Sequence, residues 1–313
     1  MPQSIVCTNY DGHYEYGAGA LINSLVSVGF EGKIIILYGD KLPFWERQLV
    51  KKNESYYIKD NQDIEILLRK IEADIHLAYY KPYMIYNLME EFPESNLFYF
   101  DPDVTVIGDW TFYENWVNCG VALCLDQCYP IMPFHHPFKI DYQNLFGSLG
   151  YELVNPNEYY INSGFIGVTP EYKPLIKCWM DFTQHLKDEG HYLYGLMVPS
   201  IQTYHASKRL NTICGDQDII NAALLYTKLP LSIMGQEAMG FTGAGYTMLH
   251  NTRNPKTWKR NFIREFVVSG LRFTPNDKSY LSNSITPLDL YSGNQRFILN
   301  MNKIITKILQ RIF

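Results

Sequence analysis

The chain has no uninterrupted apolar window of about eighteen residues, so no transmembrane helix is expected. Its start, Met1-Pro2-Gln3-Ser4, enters a short apolar run with no basic region ahead of a long one, which is not the pattern of a secretory signal. Cysteine is sparse. The six thiols (Cys7, Cys119, Cys124, Cys128, Cys178 and Cys214) show no zinc spacing, and Cys124-x3-Cys128 alone is a weak signal. Most sit among apolar residues, which fits buried thiols in a reducing compartment. Charge is also scarce, at 19% of 313 residues, and no long stretch has the composition of disorder. No internal repeat is visible. The glycines from Gly12 to Gly19 have no Lys or Arg among them, which counts against the phosphate loop of a nucleotidyltransferase. What is present suffices for one large core, or a core plus an appendage, with 47% hydrophobic residues. Aromatics are abundant, with 25 Tyr and 17 Phe, and serve either half-buried packing or stacking on sugar and base faces. These features predict a globular, cytoplasmic, enzyme-sized chain.

The net charge of −5 hides an asymmetry. Residues 251–313 hold eleven Lys/Arg against three acids, a net of +8, and the remaining 250 residues carry −13. A basic tail on an acidic body argues for an anionic partner at the tail. No nucleic-acid partner is expected.

Strands are predicted at Ser4–Thr8, Lys33–Tyr38, Asn96–Phe100, Val104–Ile107, Gly120–Leu125, Tyr160–Val168, Leu231–Met234 and Tyr246–His250. Helices are predicted at Gly17–Val28, Asp63 to about Tyr80, Tyr83–Glu91, Pro170–Lys187 and Asp216–Tyr226. Their early alternation implies an α/β fold with a mainly parallel sheet. Residues 1–272 read as one catalytic domain. Residues 273–295, rich in Ser, Asn, Pro and Asp, read as a linker or extended loop. Residues 296–313 form a basic amphipathic helix. Phe297, Met301, Ile304, Ile305, Ile308 and Ile312 fall on one face, and Arg296, Lys303, Lys307 and Arg311 on the other.

Four polar elements interrupt this apolar pattern. Asp101-Pro102-Asp103 follows a strand, at the edge where α/β sheets bind ligands. In an extended segment the two acids would project to one side, held by the stiff Pro102. Paired carboxylates repel unless a cation lies between them, and Mn²⁺ or Mg²⁺ suits such oxygens and also takes phosphate. A solvated turn is the plain alternative. His250 ends an apolar strand and is either a core histidine or a ligand, and Lys256 follows six residues later. Asn162-Ser163-Gly164 places polar groups in an apolar strand, where they need hydrogen bonds or a pocket, and Gly164 suggests a bulge. Asp216-Gln217-Asp218 opens a helix, where Asp216 could simply cap it.

In this order and at these distances, the four elements resemble glycosyltransferase family 8. That family has the GT-A fold and includes lipooligosaccharide galactosyltransferases and glycogenin. The resemblance runs from about residue 4 to residue 262. It implies that Thr8, Asn9, Tyr10 and Asp11 contact uridine and that Lys81 approaches the diphosphate. It assigns Asp101, Asp103 and His250 to a divalent metal, with Pro102 between the acids and Lys256 on the diphosphate. It puts Asn162 and Ser163 near the sugar, and Asp216 and Gln217 beneath its ring. The family's usual Lys-Pro-Trp is Lys256-Thr257-Trp258 here, and Tyr10 stands where an acid is common. The implied activity is a metal-dependent, retaining transfer of a hexose (glucose, galactose or an N-acetylated relative) from a UDP-sugar to a glycan or lipid-linked acceptor. An inverting transferase using Asp126 or Asp216 as base, and a non-catalytic UDP-sugar-binding protein, are the alternatives. The C-terminal helix packs as core, lies on the cytoplasmic face of an anionic membrane, or pairs with itself in an oligomer.

Overall fold

The computed structural model describes residues 3–59, 61–191, 193, 215–243 and 245–312. In chain order the strands are β1 (Ser4–Tyr10), β2 (Gly32–Tyr38), β3 (Val50–Lys52), β4 (Ser55–Ile58), β5 (Asn61–Lys70), β6 (Asn96–Phe100), β7 (Val104–Val106), β8 (Val121–Leu125), β9 (Ile161–Val168), β10 (Leu231–Met234) and β11 (Met248–His250). The helices are α1 (Glu15–Ser27), α2 (Lys81–Glu91), α3 (Trp110–Val117), α4 (Pro137–Phe146), α5 (Lys173–Asp188), α6 (Asp216–Ala223), α7 (Phe262–Ser269), α8 (Pro275–Ser282) and α9 (Gly293–Ile312). The chain divides into two compact units.

The first unit comprises Met1–Asn9, Ile71–Phe100 and Thr111–Gln236. Its strands run in the order β10-β8-β9-β6-β1. Pairs β10/β8 and β6/β1 are parallel, and β9 is antiparallel to both β8 and β6, so four of the five strands point one way. β1, β6 and β9 are buried along their whole length, as expected of strands covered on both faces. Trp116 stacks on Phe165 at 5.1 Å, and Phe100 meets Phe165 at 4.9 Å. Leu175, Ile176, Trp179, Phe182 and Leu186 give α5 one buried stripe at helical spacing. α5 packs on α2 and α6, and α6 packs on β9.

The second unit comprises Tyr10–Lys70, Asp101–Trp110 and Glu237–Phe313. Its strand order is β2-β5-β4-β3, parallel for β2/β5 and antiparallel for the others, beside a separate antiparallel ribbon of β7 and β11. α1 packs on β7, and the Ser24 hydroxyl accepts from Val106 N–H at 3.0 Å. The helix predicted from Asp63 to Tyr80 is not formed. Residues 61–70 are strand β5, and only Leu77–Tyr80 makes a short 3-10 turn. The run Ile64-Glu65-Ile66-Leu67-Leu68 satisfies both periods. Pairing with β2 on one side and β4 on the other decides for the strand and buries Ile64 and Ile66. Segment 273–295 contains α8, capped at Thr274, and buries Tyr280, Leu281, Leu288, Leu290 and Tyr291. Cys7, Cys124 and Cys178 are buried, Cys119 and Cys128 are exposed, and Cys214 lies outside the described residues.

Candidate functional site

In the second unit, β6 has ended at Phe100, and Asp101 to Val104 form a turn closed by Val104 N–H to the Asp101 carbonyl at 3.0 Å. Pro102 occupies the position a turn favours. The two acids therefore lie on a turn and not in an extended segment, yet their carboxylates still converge. β7 leaves this turn and pairs with β11, with His250 opposite Val104, and Asn251 N–H donates to the Asp103 carbonyl at 3.0 Å. That ladder delivers the imidazole to the acids. His250 Nε2 lies 3.2 Å from Asp103 Oδ1 and 3.7 Å from Asp101 Oδ2. One ligand atom from each of the three residues falls within 4.8 Å of the others.

These separations fit the donor set of a hard divalent ion. Oxygens about 2.1 Å from a metal in octahedral geometry are about 3 Å apart along an edge. Two carboxylates and an imidazole suit Mn²⁺, or Mg²⁺ with water and phosphate completing the shell. The remaining ring nitrogen of His250, Nδ1, is buried with no hydrogen-bond partner among the described residues. The ring is positioned by Phe241 at 5.8 Å, and Asn276 Nδ2 donates to the His250 carbonyl at 2.7 Å.

Lys256 Nζ donates to Asp103 Oδ2 at 2.6 Å and to the Asn251 carbonyl at 2.7 Å. Burial alone would raise the pKa of Asp103, but His250 and Lys256 beside it outweigh burial and hold it well below the usual carboxylate range. Burial likewise opposes the charge on Lys256, and Asp103 more than restores it, so its pKa rises. The Tyr14 ring lies 5.7 Å from Lys256 Nζ and meets the Trp258 ring edge-on at 5.5 Å. Thr257 explains the departure from Lys-Pro-Trp. Its hydroxyl accepts from Asn251 Nδ2 at 2.5 Å and donates to Asp277 Oδ1 at 2.8 Å, which proline could not do.

Among the residues expected to contact uridine, Tyr10 is buried, stacks on Tyr38 at 6.5 Å and donates its hydroxyl to the Lys41 carbonyl at 3.0 Å. Asp11 accepts from Gly12 N–H at 2.7 Å and caps the turn that leads to α1. Thr8 and Asn9 belong to the first unit. The Thr8 hydroxyl is buried without a partner among the described residues, and Asn9 Nδ2 donates to the Leu77 carbonyl at 3.0 Å.

The first unit gathers the other predicted residues. Lys81 Nζ lies 2.8 Å from Asp216 Oδ2 and donates to the Ser163 carbonyl at 3.2 Å. Ser163 N–H donates to Gln217 Oε1 at 3.3 Å. Asn162 Nδ2 donates to Asp126 Oδ2 at 3.1 Å, and its Oδ1 accepts from Gly164 N–H at 2.9 Å. The register between β8 and β9 slips across this stretch, as the glycine suggested. Asp216 does not cap α6; its ion pair with Lys81 occupies it instead. The cap belongs to Asp218, whose Oδ2 accepts from Gly215 N–H at 3.2 Å, while Oδ1 accepts from Tyr142 and Tyr160 hydroxyls at 2.6 Å each.

Sequence reasoning missed Gly17, Tyr14 and the Tyr142–Asp218–Tyr160 group. Gly17 was read only as a helix start; its signal is the small-residue run Gly17-Ala18-Gly19-Ala20, which permits close approach.

The sequence matches no protein-family model and no curated protein. Solved structures do match. The bifunctional glycosyltransferase WbbM, in its apo form, aligns with a TM-score of 0.55 at 13% identity, over 97% of this chain and 52% of its own. The galactosyltransferase LgtC, in complex with donor and acceptor sugar analogues, gives 0.54 at 14% identity, over 94% and 99%. The glycosyltransferase GlyE of Streptococcus pneumoniae TIGR4 gives 0.50 at 16%, over 96% and 63%. This chain thus spans about half the length of WbbM and nearly all of LgtC. At these identities the likeness establishes the fold: an α/β, GT-A transferase architecture, as the sequence motifs implied.

Proposed function

We propose that this chain is a divalent-metal-dependent, retaining glycosyltransferase that moves a hexose from a UDP-sugar to a glycan or lipid-linked acceptor. One observation carries the reading. Asp101, Asp103 and His250, supplied by a turn and a distant strand, bring three hard-metal ligand atoms within 4.8 Å in a chain with the GT-A fold. A bound Mn²⁺ or Mg²⁺ would supply Lewis-acid stabilisation of the charge that grows on the leaving diphosphate. Lys256 holds Asp103 in its ionised, ligating form and keeps positive charge beside it. Gln217 and Asp216 are assigned to the sugar, with Asn162 and Ser163 shaping that end. Thr8, Asn9, Tyr10 and Asp11 are assigned to the uridine, and Lys81 to support of Asp216.

The retaining outcome is favoured by the state of the two candidate bases. Asp216 is ion-paired with Lys81, and Asp126 accepts from Cys128 and Tyr129 N–H groups and from Asn162. Both carboxylates are thus already engaged by other groups, which makes either a weaker candidate for the base that inversion requires. The test is the anomeric configuration of the product by NMR. Retention is expected, and inversion would overturn this part of the assignment.

A further inference from the structure

α9 is turned the opposite way from an ordinary surface helix. Its apolar residues Phe297, Ile298, Met301, Ile304, Ile305 and Ile308 face outward, with Phe297 66% and Ile308 52% exposed. Thr306, on the other side, is fully buried, and Lys303 and Lys307 place their ammonium groups 5.9 and 5.2 Å from the Phe273 ring. α7 packs against α9 and adds Val267 and Val268, exposed 69% and 74%. Amphipathic helices normally bury the apolar stripe. Here Thr306 Oγ1 and Gln310 Nε2 are turned inward with no hydrogen-bond partner among the described residues. That orientation is costly, and covering the outward face would offset the cost. We propose that the outward face of α9, with Val267 and Val268 of α7, seats on an anionic lipid bilayer surface.

Charge selects the lipid over a second copy. Residues 251–313 carry +8, and Arg264, Arg272, Lys278, Lys307 and Arg311 are exposed on the helices and loops around the apolar face. On the α9 wheel the basic face borders the apolar stripe along one edge, where the exposed Lys307 and Arg311 can reach headgroups while the stripe enters the acyl boundary. Two copies of the face laid together would oppose these cations to their own kind, which disfavours pairing. The proposal does not depend on the transferase reading, because docking is measured without turnover. No helix among the described residues is long and apolar enough to cross a membrane, so the contact is peripheral.

The test sediments the full chain with vesicles of phosphatidylcholine alone and with equal parts phosphatidylglycerol. Sedimentation velocity is run in parallel. The native chain should pellet with the mixed vesicles and much less with the neutral ones. Removing Lys307 and Arg311 as Gln should weaken binding about fivefold for each cation. The substitution pair Ile304→Glu and Ile308→Glu, at exposed positions that leave the fold intact by circular dichroism, should abolish pelleting. Equal pelleting of native chain and glutamate variant would overturn the proposal. So would no pelleting of the native chain, with or without a dimer that the glutamates break.

Discussion

A methyl group on Gly17 would sit 2.2 Å from the Pro102 carbonyl oxygen and 2.8 Å from the Trp258 ring. The first contact is with backbone, so the Asp101–Asp103 turn itself would have to move. Gly17→Ala should therefore lower stability by about 1–3 kcal/mol. It should also weaken Mn²⁺ binding, read by urea melts and titration calorimetry; native values in both would show that α1 does not set the turn. Lys256 is the second test at this scale. Lys256→Ala removes the cation beside Asp103 and should reduce kcat by about 10²–10³-fold. Unchanged kcat would leave Lys256 as packing alone. The acids, His250 and Lys256 were legible because their chemistry is written in residue type and spacing. Gly17 was not, since its importance lies in what approaches it, and Thr257 became intelligible only once Asn251 and Asp277 were seen on either side of its hydroxyl.

At the scale of elements, the short β7–β11 ladder explains how His250 reaches two acids far away in sequence. The loop after β11 is anchored from behind by α8. Asp277 is buried and pairs with Arg260 at 2.5 Å while accepting from Thr257 and Thr274. Asp277→Ala leaves the buried Arg260 guanidinium with Glu265 alone and removes the acceptor of the Thr257 and Thr274 hydroxyls, and should cost about 1–3 kcal/mol, measured by denaturant unfolding. A loss under 1 kcal/mol, of the size of an exposed pair, would contradict this role. The strands rich in β-branched residues, such as Lys33–Tyr38, and the proline-led helix α5 were legible because local propensity and tertiary demand agree there. α8 was not, although Thr274 caps it and Pro275 leads it, because its polar composition hides the few residues it buries. β5 was not, since its apolar spacing serves either period and only its neighbours choose. α9 was legible as an amphipathic helix, but periodicity cannot say which face turns outward.

For the whole molecule, a ligand that binds only the folded chain stabilises it by mass action. Mn²⁺ at about 100 times its Kd should add about 2.7 kcal/mol to unfolding. That increment should vanish in Asp103→Ala, and a rise that survives there would place the metal elsewhere. The GT-A architecture was readable from the order of four polar elements and stands on fold matches at 13–16% identity. The donor sugar and acceptor are not written in those matches and rest on chemistry. The most direct measurement is UDP release from a panel of UDP-hexoses by the native chain, Asp101→Ala and His250→Ala, each with Mn²⁺ and with chelator. The account predicts release by the native chain with Mn²⁺, none with chelator, and loss in both variants. Release that persists in chelator, or a His250→Ala variant at the native rate, would contradict a three-ligand metal site as the centre of the proposed activity.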